Sequence, residues 1–75
     1  MTVIETGMTV RLLVDDVTGG PLRQGDICSV ESKTTDSDGT PMYWAARTRE
    51  KQSGGYTVDR APFFGDEIDP MPNPN

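Results

Sequence analysis

The stretch Leu22-Arg23-Gln24-Gly25-Asp26-Ile27-Cys28-Ser29-Val30 constrains the chain more than any other. Gly25 can take the positive φ of a tight turn, and the Asp26 carboxylate can bond the backbone beyond it. Ile27, Cys28 and Val30 then supply apolar, mostly β-favouring side chains, so the turn feeds directly into a strand. Upstream, Met8 to Val14 alternate. Met8, Val10, Leu12 and Val14 share one face, and Thr9, Arg11 and Leu13 the other, which is the period of a half-buried strand. Leu13 breaks the outer row and is expected to pack under a loop.

The remaining punctuation predicts a small all-β domain. Asp15 to Gln24, with Gly19, Gly20 and Pro21, is too long for a tight hairpin and should fold back on the domain through Val17 and Leu22. A second strand is expected over Asp26–Ser32, with a β-bulge near the glycine turn that lets Ile27 and Val30 both face inward. Lys33 to Thr40 is a polar hairpin loop carrying the turn signal Asp38-Gly39. In the third strand, Met42–Thr48, the trio Met42, Trp44 and Ala46 opposes Tyr43, Ala45 and Arg47. Arg47 should seek water, which predicts Trp44 at the centre of the core and Tyr43 on the surface. A second polar loop, Thr48–Gly55, leads to a fourth strand over Tyr56–Asp59. A single 3-10 turn is expected within Arg60–Gly65, with Phe63 or Phe64 plugging an open end. A short fifth strand over Asp66–Asp69 points Ile68 inward. In the leader Met1–Gly7, Val3 and Ile4 add an edge strand or cover one end. Alternating prolines in Pro70–Asn75 favour an extended, solvated tail, or a strap docked through Met71. The expected layout is one domain over residues 1–69 and a tail over 70–75.

Composition bounds the rest. The chain of 75 residues allows one domain. A domain this small buries only about 60% of its unfolded surface. Only 33% of its residues are apolar, so the core must be small. The net charge of −5 repels nucleic acid and anionic membranes at long range. The single cysteine, Cys28, excludes an internal disulfide and reads as a small core residue in a reducing compartment. No stretch approaches the roughly 18 apolar residues of a membrane span. No basic-then-apolar start suggests a signal peptide, so a cytoplasmic location is expected.

The side-chain inventory argues against catalysis. The chain has no histidine, hence no imidazole base, ligand or nucleophile partner, and neither catalytic residues nor a cofactor are expected. Asp15 and Asp16 are adjacent, so on extended chain they point to opposite sides and do not make a metal site. Asp36-Ser37-Asp38-Gly39 resembles a calcium-loop fragment. A loop placing Gly39 sixth, however, would need a bidentate acid where Ala45 stands. No metal is predicted. A protein-interaction module is the expected function. Its candidate contacts are Tyr43, Arg47 and Arg49 on one exposed strand face, with Asp66, Glu67 and Asp69 as a second, acidic surface able to mimic nucleic acid. The alternatives are structural assembly through open edge strands and nucleic-acid binding through Arg23, Arg47, Arg49 and Lys51. The last group is interrupted by Glu50 and contains no aromatic stacking platform.

From Met8 to Ile68 the order of features resembles that of SH3-like, KOW-type domains. Gly7 stands before the first strand, Leu22-x-x-Gly25-Asp26-Ile27 leads into the second and Gly54-Gly55-Tyr56 into the fourth. The resemblance implies a five-stranded SH3-like barrel with a 3-10 turn before the last strand. The chain is also similar to small proteins encoded by tailed bacteriophages, which implies an adaptor or inhibitor of a host protein, acting in the host cytoplasm, or a virion-type component. Two departures limit what carries over. The aromatic first loop of signalling SH3 domains is replaced by Leu13-Val14-Asp15-Asp16-Val17, so proline-rich ligand binding is not implied. KOW domains that touch RNA are usually basic, whereas this chain is acidic.

Overall fold

The computed structural model of the chain describes residues 3–71. Among them run five strands: β1 (Thr9–Leu12), β2 (Ile27–Thr35), β3 (Pro41–Glu50), β4 (Tyr56–Phe64) and β5 (Ile68–Pro70). One 3-10 turn, Gly65–Glu67, precedes β5. Every pairing is antiparallel, in one sheet of order β4-β3-β2-β1-β5. The expected all-β, five-stranded architecture is therefore present. The barrel is not closed, however, and β4 and β5 form the two edges. No helix among the described residues is long and apolar enough to cross a membrane.

The glycine turn does what its residues dictate. Gly25 takes φ +93°, a conformation costly to any side chain. Its N–H donates to the Leu12 carbonyl at 2.8 Å, and the Leu12 N–H donates to the Asp26 carbonyl at 2.9 Å. The turn thus fastens the start of β2 to the end of β1. The Asp26 carboxylate accepts from the Arg23 N–H at 2.9 Å, so its bond runs back across the turn rather than beyond it.

The core follows strand alternation. Val10 faces Cys28, Leu12 faces Ile68, and Val30 and Ala61 both face Ala45 across the ladder. With Phe63, Leu22 and Ile4 these residues form one buried cluster. Ile4 shows that the leader does cover one end. Within β3 and β4 the buried pair is Ala45–Ala61, and such small side chains leave room for the sheet to bend over Phe63.

Several expectations are corrected. In β3 it is Tyr43, Ala45 and Arg47 that face inward. Tyr43 packs against the core, and Trp44, expected at its centre, is 37% exposed on the outer face. Arg47 need not seek water, because Asp59 stands directly opposite it in the β3–β4 register and supplies the counter-charge inside. The β2 bulge lies between Val30 and Ser32, not at the glycine turn, and Ile27 consequently faces out, 44% exposed. Strand β4 runs on through Arg60–Phe64, where a 3-10 turn was expected, and that turn begins only at Gly65. Pro62 is tolerated because β4 is an edge strand with one side unbonded. Val17 anchors nothing, being 84% exposed, and Leu13 is also exposed. The tail boundary shifts as well. Pro70 belongs to β5, and the Met71 N–H donates to the Thr9 carbonyl at 2.8 Å. The expectations for Met1, Thr2 and residues 72–75 fall outside the described residues.

Candidate interaction surfaces

The inner faces of β3 and β4 end in an ion cluster rather than a free basic patch. Arg49 Nε donates to Asp59 Oδ2 at 2.7 Å, and Arg47 reaches the same oxygen at 3.6 Å. Arg47 also pairs with Asp26 at 3.0 Å. The hydrogen bond from Arg49, followed by the charges of both arginines, holds the Asp59 carboxyl below the usual carboxylate range against the opposing effect of burial. Cys28 lies beside this cluster. Burial first, and then the Asp26 charge, push its thiol up, so it stands protonated and poorly nucleophilic at neutral pH.

A pH dependence follows. The folded value of Asp59 lies below its unfolded value, so its contribution is fully present above about pH 3.9 and is lost as pH falls through the folded value. Asp59→Asn should lower the urea midpoint at pH 7, and the gap from the parent protein should narrow steadily below about pH 3.9. A gap that stays constant down to pH 2 would contradict the linkage.

Two further arginines are paired within the chain. Arg11 pairs with Asp69 at 3.1 Å and Arg60 with Glu31 at 2.8 Å. Arg23 donates to the carbonyls of Gly20 and Leu22. Of the four nucleic-acid candidates, Arg47 and Arg49 share one aspartate, while Arg23, bound to carbonyls of its own loop, and Lys51 have no ion pair among the described residues. The protein-contact candidates separate in the same way. Asp69 is paired, and Glu67 Oε1 accepts from the Phe64 N–H at 2.8 Å, holding the 3-10 turn. Arg47 and Arg49 lie in the ion cluster. Tyr43 and Asp66 come together elsewhere, in a cleft of about 360 Å³ with Thr40, Pro41, Phe64 and Gly65.

The outer face carries a surface that the sequence pattern did not single out. In register, Thr48 lies opposite Val58, Ala46 opposite Ser29 and Arg60, and Trp44 opposite Ser32 and Pro62. The small Ser29 and Ala46 leave a depression between larger neighbours. The result is a groove of about 440 Å³ walled by Ile27, Thr48, Val58, Thr9 and Glu31. Ile27 (44%), Val58 (40%) and Trp44 (37%) are exposed on or next to it. The available signal was Asp59 at the position matching Arg47 across a hairpin, which would have turned Trp44 outward. Among the described residues no group of three or more metal-ligating side chains is assembled. Compared with models of known protein families, with curated proteins and with solved structures, the chain matches none.

Proposed function

We propose that this chain is a small, non-enzymatic protein-interaction module that docks a partner protein on the outer face of its sheet. The observation carrying the reading is the groove walled by the exposed Ile27 and Val58, together with the exposed Trp44, which lies outside the groove on the same face, two residues along β3 from Ala46 and opposite Pro62. Aromatic and aliphatic side chains around a concavity are what the centre of a protein interface needs, and tryptophan is the commonest hot-spot residue. The ion pairs described above engage four of the five arginines, which disfavours a nucleic-acid backbone as the ligand. The protonated, buried Cys28 thiol and the absence of histidine support the non-enzymatic reading. An adaptor or inhibitor of a host protein, of the kind that the likeness to phage proteins implies, would use such a face in the host cytoplasm.

The test compares the parent protein with Trp44→Ser, each captured from nuclease-treated lysate of the cells that make it. A protein bound by the parent should be held about thirtyfold more weakly by the variant. Trp44 lies outside the core cluster, so the variant should keep its β-sheet spectrum. Equal binding by the variant rules the face out, and a partner set lost with nuclease moves the reading to nucleic acid. One observation favours a second reading, self-assembly. The nine residues of β4 form an open edge beside the same face, and an open edge can pair with that of another copy. A mass that rises with concentration would support it.

A further inference from the structure

We propose that the cleft between the β2–β3 turn and the 3-10 turn binds an arginine side chain presented by a basic segment of a partner protein. The cleft shares no lining residue with the outer groove, so the inference goes beyond the sheet-face reading and does not depend on it.

Two aromatic rings and one carboxylate define it. Tyr43 is held in place by its packing on the core, and its ring edge would lie 3.5 Å from a Cβ on Gly65, so the wall beneath the 3-10 turn is filled. Phe64, the half-buried last residue of β4, also lines it, from the sheet face opposite to that of Tyr43. Its backbone is fixed by the Glu67 carboxylate. Asp66 is exposed at the rim and has no ion pair or hydrogen bond among the described residues. A volume of about 360 Å³ suits one long side chain. A guanidinium stacks on an aromatic ring while its N–H fork meets a carboxylate, a combination that an ammonium reproduces less well.

The charge distribution selects the cation. Each arginine of the described residues is bound to an acid or a carbonyl, and none lines this cleft. Lys33 stands opposite Tyr43 in the β2–β3 register, yet it does not line the cleft and pairs with no acid. One acid without an ion pair lines it, and another stands in the adjoining turn. Asp66 lies on one side. On the other, Asp36 Oδ1 accepts from the N–H groups of Asp38 and Thr40, which holds the turn rigid beside the Thr40 wall. The same acids would steer a basic segment toward the cleft.

The probe is a synthetic peptide of arginines alternating with glycines, titrated at 150 mM salt into the ¹⁵N-labelled full chain. A matched citrulline peptide and spermine serve as comparisons. Saturable shifts at the Thr40, Gly65 and Asp66 amides with the arginine peptide, and none with citrulline, are expected. Asp66→Asn should weaken binding about fivefold. Tyr43→Leu should weaken it by removing the stacking ring, and the spectra themselves report whether each variant is folded. Trp44→Ser should leave this binding unchanged, so failure of the sheet-face reading is seen separately. Equal shifts with citrulline, equal affinity for spermine, or shifts confined to the Asp36–Asp38 turn would each overturn the proposal.

Discussion

Phe63→Ala should leave the protein largely unfolded at room temperature, whereas Trp44→Ala should leave it folded. Phe63 is 2% exposed and is the largest fully buried side chain among the described residues. Replacing a buried phenylalanine with alanine costs about 3–5 kcal/mol, through lost transfer energy and the cavity left behind. A single core in a chain of this length supplies roughly the same amount. No second ring can take the place, because Phe64 points to the opposite face of β4 and Tyr43 already fills its own site. Trp44 is larger, yet it faces out beside Pro62, and its loss should cost about 1 kcal/mol or less. Urea unfolding followed by circular dichroism distinguishes the two. A benign Phe63→Ala together with an unfolded Trp44→Ala would mean that the strand is turned the other way, with the tryptophan inside.

That inversion marks where the sequence stopped being legible. The alternation of Met42 to Arg47 defines two faces, but it does not say which is buried. A single-strand rule, that arginine seeks water and tryptophan avoids it, chooses the wrong one. The choice is settled between strands, where Asp59 meets Arg47 and Ala61 meets Ala45. The same limit displaced the 3-10 turn. Arg60–Gly65, with its proline, reads as a single 3-10 turn, and the position of β4 at the sheet edge is what makes Pro62 acceptable in a strand. Local chemistry was legible wherever it is self-contained. The positive φ of Gly25, a first strand within the alternation Met8 to Val14, the inward Ile68 and the buried Cys28 stand as read. Of the proposed contact residues, the structure unites Tyr43 and Asp66 through the return of β4 beside β3, a closeness that no local pattern carries. The outer groove depends on Ser29 meeting Ala46, which is again a register property.

Leu22→Ala should cost about 2–5 kcal/mol and should loosen the first loop before the rest of the sheet. Two anchors were expected for that loop, and the structure keeps one. Leu22 is fully buried in the core cluster, while Val17 is exposed to solvent. The loop's own polar contacts depend on where Leu22 sits. Its carbonyl accepts from the Asp16 N–H at 3.1 Å and from Arg23 Nη1 at 3.0 Å. With Leu22 seated, Asp16 is buried, its Oδ1 accepting from the Thr18 N–H at 2.9 Å and its Oδ2 left without a partner among the described residues. An unpaired buried oxygen is costly, so this loop should be the first part to open once its apolar anchor is cut back. Hydrogen exchange reads the order of events. In Leu22→Ala the amides of Asp16, Thr18 and Gly19 should exchange faster by a larger factor than that of Val30, which donates to Met8 within the sheet. Val17→Ala, at an exposed position, should change stability by no more than about 0.5 kcal/mol and leave all four rates as they were. Equal acceleration of the loop and of Val30 in Leu22→Ala would mean that the loop and the sheet open as one unit. A loss of stability in Val17→Ala to match would place the anchor at the wrong residue.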